Sequence, residues 1–289
     1  MAAGAPPLRE VQVGRFRVRA LRDADLWLDG GAMFGVVPRP VWEPLAPPDA
    51  RHRVRLATTP YLVEDGATIT VIEPGIGRRW NAKERDRYRI ESDGGRDLLA
   101  SLAAAGVAPA AVDHVLMTHA HWDHLGAAVG ADGAPVFPNA THWLPETELR
   151  AALDPDALRR ASYRHEDVQP LQAAGLLRTF GSEGCEPLPG VRMHPVGGHS
   201  DAVCLVTLAD RGATACFWAD VLPTRHHAPL AWIMAYDQNA ERSFAVRNEW
   251  IPRAAAEGWT CLLYHDAETP IGRLVAAGRN YAFQALAAD

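Results

Sequence analysis

Apolar and polar residues alternate in short runs along much of this chain, and these runs predict many short strands. Val11 to Leu21 alternates apolar and basic residues, as a half-buried strand does. Two runs on either side of Asp65-Gly66 predict a hairpin with a tight turn. Strands are predicted at 54–57, 61–64, 67–73, 112–118, 141–144, 176–180, 191–196, 203–208, 213–218 and 260–264.

Helical periodicity is clearest from Asp97 to Gly106, where an amphipathic run ends at a glycine. Further helices are predicted directly after His124 and over 145–152, 155–174, 243–257 and 271–287. The segment 26–48, rich in Gly, Pro and Trp, predicts a long ordered loop. Runs of strands with helices between and after them favour two sheets covered by helices, an α/β (α+β) class. One domain over 11–289 is predicted, after a flexible N-terminus at 1–10.

Composition and charge argue against several classes of protein. The chain has 289 residues, a hydrophobic fraction of 48% and a net charge of −6, and no run of basic residues predicts a nucleic-acid face. No apolar run reaches the roughly 18 residues that a membrane helix needs. The first ten residues lack the pattern of a secretory signal, so a soluble cytoplasmic protein is expected. Cys204, Cys216 and Cys261 lie in apolar runs and are predicted to be buried, reduced thiols.

The strongest chemical signal is Thr118-His119-Ala120-His121-Trp122-Asp123-His124, which follows a buried strand. His119 and His121 are two positions apart, so they point the same way in an extended chain. Asp123 and His124 follow where the chain turns toward a helix. Imidazole and carboxylate are ligands that Zn²⁺ and similar cations prefer, and this density after a core strand predicts a metal site.

Three later strands end in residues of the same chemistry. Strand 191–196 leads to His199, strand 213–218 leads to Asp220, and strand 260–264 leads to His265. Together with the first motif, this order resembles the metallo-β-lactamase superfamily, over residues 26 to 285. The resemblance implies a four-layer αββα sandwich. It also implies two divalent ions, Zn²⁺ by default with Mn²⁺, Co²⁺ or Fe²⁺ as alternatives.

The resemblance also implies a ligand for each metal position. One ion would be held by His119, His121 and His199, and the other by Asp123, His124 and His265, with Asp220 bridging both. A metal-bridging hydroxide would then be the nucleophile. Two departures from the family pattern are Glu73-Pro74-Gly75 in place of Asp-Thr-Gly, and Asp201-Ala202 in place of Pro-Gly. Neither removes a ligand.

Segments outside the ligands are similar to a lactonase and organophosphate-hydrolase-like branch. They include residues 29–38, 75–88, 220–224 with His227, and 234–237. Asp220 argues against a true β-lactamase, and His121 against a diiron oxygen reductase. The short stretch after His265 leaves little room for a glutathione-binding helical region, and an acidic chain does not suit RNA processing.

These comparisons leave a small neutral ester as the substrate: a lactone resembling an acyl-homoserine lactone, with aryl esterase or phosphotriesterase side activity. Tyr236 and His227 are the candidate proton donors, and Asp123 could receive the leaving-group proton while remaining a ligand. Predicted pocket walls are Met33, Phe34, Trp42, Trp232 and Ile233, although ordinary core packing explains them equally well. His52, His142 and His165 are predicted at the surface, His114 and His194 as structural, and either His226 or His227 facing the metals.

Two other classes of function remain open at this point. One is a metal-dependent phosphodiesterase or nuclease, which activity on a phosphodiester without activity on lactones would favour. The other is a non-catalytic metal-binding protein, against which the presence of all seven ligands argues. A homodimer is a further alternative, with segment 26–48 either covering the pocket or joining two copies.

Overall fold

The structure is a computed structural model that describes residues 9–92 and 97–286. Residues 1–8 of the predicted flexible N-terminus lie outside the described residues. Glu10, the last residue of that predicted segment, is already paired with Arg19 in the first strand.

The described residues form sixteen strands and eight α-helices. The strands are β1 (Glu10–Val13), β2 (Phe16–Ala20), β3 (Ala24–Asp29), β4 (Arg53–Thr58), β5 (Tyr61–Glu64), β6 (Ile69–Ile72), β7 (His114–Leu116), β8 (Thr141–Pro145), β9 (Leu177–Phe180), β10 (Cys185–Leu188), β11 (Val191–Pro195), β12 (Cys204–Asp210), β13 (Ala213–Phe217), β14 (Thr260–Leu262), β15 (Ile271–Ala277) and β16 (Asn280–Ala285). The helices are α1 (Gly30–Phe34), α2 (Arg39–Trp42), α3 (Ala82–Tyr88), α4 (Leu98–Ala104), α5 (Trp122–Leu125), α6 (Glu146–Leu153), α7 (Gln169–Ala173) and α8 (Ala240–Ala256). Short 3₁₀ turns lie at Pro109–Ala111, Gly126–Ala128, His165–Asp167, Ala219–Val221 and Arg225–His227.

Most of the described strands belong to two seven-stranded sheets. The first has the order β1-β2-β5-β6-β7-β8-β9, and the second runs from β10 to β16 in chain order. Strands β6 to β9 pair in parallel, and β13 pairs in parallel with β14. Strands β3 and β4 form a separate antiparallel pair.

Alternating side chains of the first sheet face two different cores. Tyr61 and Val63 of β5 pack in a cluster with residues of the second sheet such as Val206 and Phe217. Leu62, between them, packs in a second cluster with α4 and α7 residues. This period of two is what a strand covered on both faces requires.

Helices cover the outer faces of both sheets. Leu98 and Leu102 of α4 pack against the first sheet, and α8 contacts β15 of the second. The layers are therefore helix, sheet, sheet and helix, which confirms the predicted αββα sandwich.

Several local predictions are confirmed. Strands β5 and β6 pair as the predicted hairpin around Asp65-Gly66. Helix α4 begins after Asp97, whose side chain accepts a hydrogen bond from Ala100 N. Among the described residues all four cysteines are free, and Cys204, Cys216 and Cys261 are buried.

The predicted C-terminal helix over 271–287 is wrong. Residues 271–285 form the hairpin of β15 and β16, which pair from Gly272↔Ala285 to Ala277↔Asn280. The segment is rich in alanine, which favours helix in isolation. Ile271 and Leu274 instead bury against the core at the edge of the second sheet, and this tertiary packing decides the structure.

Two other predicted elements differ from the structure. The predicted loop at 26–48 contains the end of β3 and helices α1 and α2, with Asp29 capping α1 through Ala32 N. The predicted helix at 155–174 is mostly turns and holds only α7 and one 3₁₀ turn. Asp156 Oδ1 accepts hydrogen bonds from Leu158 N and Arg159 N, and these local bonds favour a turn there over a helix.

No helix in residues 9–92 and 97–286 is long and apolar enough to cross a membrane.

Candidate metal centre

Strands of both sheets end at one edge, and the predicted ligands follow those ends. His119 and His121 come after β7, while Asp123 and His124 lie in the short helix α5 rather than before it. His199 follows β11, Asp220 follows β13, and His265 follows β14. All seven predicted ligands are buried. The structure thus brings together residues that lie between positions 119 and 265 of the chain.

Tight backbone packing supports α5 from behind. Gly75 N donates to His124 O at 2.9 Å, and Ala127 N donates back to Gly75 O at 2.9 Å. Gly77 has φ of +71°, and a Cβ there would lie 2.6 Å from the carbonyl oxygen of Gly126. A side chain at Gly77 would therefore push α5 away from the cluster.

The first group of candidate ligands contains His119, His121, His199 and Asp220, with one ligand atom of each within 4.8 Å of all the others. His199 Nε2 lies 3.1 Å from both His121 Nδ1 and Asp220 Oδ2. The second group contains Asp123, His124 and His265. His265 Nε2 lies 3.3 Å from His124 Nε2 and 3.6 Å from Asp123 Oδ2.

Asp220 joins the two groups through its two carboxylate oxygens. Oδ2 faces His199, whereas Oδ1 lies 3.3 Å from His124 Nε2 and 3.2 Å from His265 Nε2. One carboxylate oxygen toward each group is the arrangement that a bridging ligand requires.

Contacts of the ring nitrogens that face away from the cluster orient the histidine rings. His265 Nδ1 donates to Ala57 O at 2.8 Å, and His199 Nδ1 donates to Asp237 Oδ1 at 3.0 Å. His119 Nδ1 lies 2.9 Å from Thr118 Oγ1. Contacts of this kind on one ring nitrogen leave the other one turned toward the cluster with a free lone pair.

Glu73 stands behind the cluster, where the sequence departs from the family pattern. Its side chain is fully buried; Oε1 accepts from Thr118 N at 2.9 Å and lies 3.7 Å from His124 Nδ1. It also forms a third close group with His119 and His124. The departure therefore keeps a carboxylate in contact with the ligand-bearing segment.

Several polar atoms of the cluster have no hydrogen-bond partner. They are His119 Nε2, His121 Nε2, His124 Nδ1 and Asp220 Oδ1, each buried. Burial and neighbouring histidines hold the pKa values of His119 and His121 well below their usual range. Burial opposes protonation of His124, but the Asp220 and Asp123 carboxylates outweigh it and raise the pKa of that ring. The unpartnered His119 Nε2 and Asp220 Oδ1, together with carboxylates that favour positive charge, fit divalent cations.

The cluster forms the base of a pocket of about 440 Å³. Five of the candidate ligands line it, and its apolar and aromatic walls are Leu28, Met33, Tyr88, Trp122, Leu158, Met234 and Tyr236. Among the described lining residues the only basic side chain besides the histidines is Arg159, which pairs with Asp156 and with Asp201 at 2.7 Å. The pocket therefore offers no unneutralised arginine or lysine to an anion.

The other predicted pocket residues divide into two groups. Met33 and Tyr236 line the pocket. Phe34 and Trp42 stack on each other in the core cluster that also contains Met33, and Trp232 lies edge-on to Phe34. Phe34, Trp42, Trp232 and Ile233 are not among the described residues that line the pocket.

His227 does not face the cluster. Its Nδ1 lies 2.8 Å from Thr224 Oγ1, its Nε2 donates to Met33 O at 2.8 Å, and its ring stacks on Phe34. His226 and His227 line a neighbouring recess instead. With both nitrogens engaged, His227 is placed to support α1 rather than to donate a proton to substrate.

The remaining histidines correct one prediction. His52 and His165 are exposed as predicted. His142, predicted at the surface, is fully buried on β8, and Nδ1 donates to Ala140 O at 3.1 Å. Its strand lies inside the first sheet between β7 and β9, which sequence pattern alone did not reveal.

Sequence reasoning missed two buried carboxylates near the cluster. Asp237 was noted only as part of a similar segment, and Glu148 on α6 was not singled out. Neither has a local sequence signal, because its partners come from distant parts of the chain.

Fold and cluster together are those of a metal-dependent hydrolase. The metallo-beta-lactamase superfamily model matches residues 53–269, more than half of the chain. The chain belongs to this superfamily.

The chain is also similar to individual proteins, one by sequence and others by structure. The chain is 38% identical over 69 residues to the N-acyl homoserine lactonase AttM of Azorhizobium caulinodans, a match that spans 24% of each chain. A probable metal-dependent hydrolase from Staphylococcus aureus superposes with a TM-score of 0.89 and 28% identity, over 96% of this chain and 99% of that one.

Two more solved structures share the fold at lower identity. The hydrolase AbOPH has a TM-score of 0.80 at 20% identity, covering 99% of this chain and 100% of that one. The dizinc quorum-quenching lactonase AidC, in complex with a product, has a TM-score of 0.80 at 16% identity, with 98% of each chain covered.

Proposed function

We propose that this protein is a dinuclear-metal hydrolase that opens a small neutral lactone of the acyl-homoserine-lactone type, with aryl ester and phosphotriester hydrolysis as side activities. The observation that carries the proposal is the orientation of Asp220, with one oxygen toward each group of histidines, at the base of a mostly apolar pocket. The lactonases AttM and AidC among its relatives support the substrate class.

The residues would hold two divalent ions, with Zn²⁺ as the default. His119, His121 and His199 serve one position, Asp123, His124 and His265 serve the other, and Asp220 serves both. Bound ions supply Lewis acidity toward the ester carbonyl and lower the pKa of water, so that a nucleophile is available near neutral pH.

The side chains around the cluster carry the remaining steps. Water oxygen adds to the lactone carbonyl carbon, the ring C–O bond breaks, and a proton passes to the departing alkoxide, giving a hydroxy acid. We assign the transfer of that proton to Asp123, whose Oδ2 lies 3.6 Å from His265 Nε2. The Tyr236 hydroxyl keeps its proton at neutral pH, because the ordinary pKa of tyrosine is about 10, and it can donate a hydrogen bond from the pocket wall to the substrate oxygen.

Charge favours a neutral ester over a phosphodiester. Asp123, Asp220 and Asp237 line the pocket, and the one arginine there is paired with two carboxylates. The two ions would supply positive charge at the base of the pocket, but no unpaired basic side chain among the described lining residues would bind the charged oxygens of a diester further out.

The test is a substrate panel with zinc-loaded protein: acyl-homoserine lactones, simple γ- and δ-lactones, an aryl ester, a phosphotriester and a phosphodiester. Lactones are expected to give the highest kcat/KM, with slower hydrolysis of the aryl ester and the triester. Phosphodiester cleavage without lactone turnover would contradict the substrate assignment and favour a phosphodiesterase.

A further inference from the structure

Glu148 is a buried carboxylate without a cationic partner. It lies in the first turn of α6 and its side chain has no exposed area. Among the ion pairs of the described residues none involves Glu148. A buried charge is costly unless hydrogen bonds compensate it, so its partners identify its role.

Those partners lie on three separate segments. Oε2 accepts from Ala120 N at 3.1 Å and from the Tyr163 hydroxyl at 3.1 Å. Oε1 accepts from Ala202 N at 2.9 Å. One carboxylate therefore joins the segment after β7 of the first sheet to the segment between β11 and β12 of the second.

Two of these segments carry candidate ligands of the first group, and the third contacts one of those ligands. Ala120 stands between His119 and His121, and Ala202 comes three residues after His199. Tyr163 forms a bridge with the His121 backbone and packs edge-on to its ring at 4.8 Å. None of the hydrogen bonds of Glu148 goes to the segments that carry Asp123, His124 or His265.

We infer that Glu148 is a positioning residue that sets the spacing between His119 and His121 on one side and His199 on the other. This inference rests on the proposed function, because it assigns the first group to a metal ion. Two backbone N–H groups need two acceptor oxygens, and only a carboxylate supplies both. A glutamine at this place would turn its NH₂ group toward one of the two N–H donors and release that loop.

The variant that tests the inference is Glu148→Gln. Its matched control is Glu146→Gln, on the same helix but with a side chain that is 56% exposed. Tyr163→Phe is a second comparison, because it removes one donor and keeps both backbone hydrogen bonds of Glu148. Glu148→Asp keeps the charge but is one methylene shorter, so it cannot reach both loops, and it replaces Glu148→Gln if that protein does not fold.

The measurement is a stepwise titration of metal-free protein with Co²⁺ against a competing chelator, followed by the visible absorption of bound Co²⁺. His121→Ala identifies which binding step belongs to the first group. Glu148→Gln is expected to weaken that step about 10- to 100-fold and to change its Co²⁺ absorption, with the other step unchanged within about threefold. Glu146→Gln and Tyr163→Phe are expected to leave both steps within about threefold.

Three outcomes distinguish a failure of the inference about Glu148 from a failure of the proposed function. Unchanged binding in both Glu148 variants would overturn the inference. Equal weakening of both steps, together with a lower melting temperature, would also overturn it, by showing a general structural role. Failure of the unmodified protein to bind two ions would contradict the proposed function instead, and the titration shows this before any variant is compared.

Discussion

Asp237 Oδ1 lies 3.0 Å from His199 Nδ1, on the side of the ring opposite to Asp220. The side chain of Asp237 is only 4% exposed, so this hydrogen bond is largely shielded from water. A carboxylate on the outer nitrogen fixes the tautomer of a metal-binding histidine and increases its basicity.

Replacing Asp237 by Asn is expected to weaken metal binding about 10- to 100-fold, because the neutral amide supports the His199 ring less well. Metal affinity measured by chelator competition checks this result. The matched control is Asp201→Asn, also close to His199 in the chain but 45% exposed. Equal affinities of the Asp237 and Asp201 variants would show that Asp237 does not support the metal.

Tyr236→Phe is expected to lower kcat for lactones on the order of 10²-fold, with KM nearly unchanged, because it removes a donor proposed to act in the transition state. Steady-state kinetics on the zinc-loaded protein measures both constants. Tyr88→Phe is the control, since Tyr88 lines the same pocket. The role of Tyr236 is excluded if its variant keeps the full kcat.

His227→Leu is expected to reduce the free energy of unfolding by about 1–3 kcal/mol, because the partners Thr224 Oγ1 and Met33 O stay buried without a hydrogen bond. Burial lowers the pKa of His227 to about 3, so the ring is neutral at working pH. We expect kcat of the folded variant to stay within about threefold. Denaturant unfolding and kinetics on the same preparation check both values. A collapse of kcat at unchanged stability would instead support a catalytic His227.

The buried His142 is expected to make the free energy of unfolding decrease as the pH falls. Burial lowers the pKa of the folded protein's His142 to about 4, against 6.5 for an unperturbed histidine. Between these two pH values the unfolded chain binds more protons than the folded protein does. The stabilisation of the folded protein by neutral, buried His142 is therefore present above pH 6.5 and is lost as the pH falls toward 4.

His142→Gln removes this titration. From pH 7 to pH 5, the unmodified protein is expected to lose about 2 kcal/mol more unfolding free energy than the variant. Urea unfolding at the two pH values measures the difference. His165→Gln, at an exposed position, is expected to behave like the unmodified protein. Parallel pH profiles of the His142 variant and the unmodified protein would refute the assignment.

The sequence was most informative where chemistry follows a strand end. His119, His199, Asp220 and His265 each come after a short apolar run, and strand ends at one edge of a sandwich place such residues together. The β5–β6 hairpin was equally predictable, because Asp65-Gly66 is a local turn signal between alternating runs.

Other features depend on contacts between distant residues. The alanine-rich C-terminus favours helix locally, yet Leu274 packs in the core as part of a strand. His227 was a candidate proton donor because of the resemblance to lactonases, but its ring is held by Met33 from 194 residues away. Glu148 has ordinary helical surroundings in sequence, and only the fold brings Ala120 and Ala202 to its carboxylate.

The metal content of the purified protein and of Asp220→Asn, determined by elemental mass spectrometry alongside lactone turnover, tests the dinuclear site directly. We expect two divalent ions per unmodified chain, one or fewer in the variant, and a loss of lactone turnover of at least about 10³-fold. Full lactone turnover with a single ion per chain, or an Asp220 variant that keeps both ions and its activity, would contradict the proposed dinuclear site.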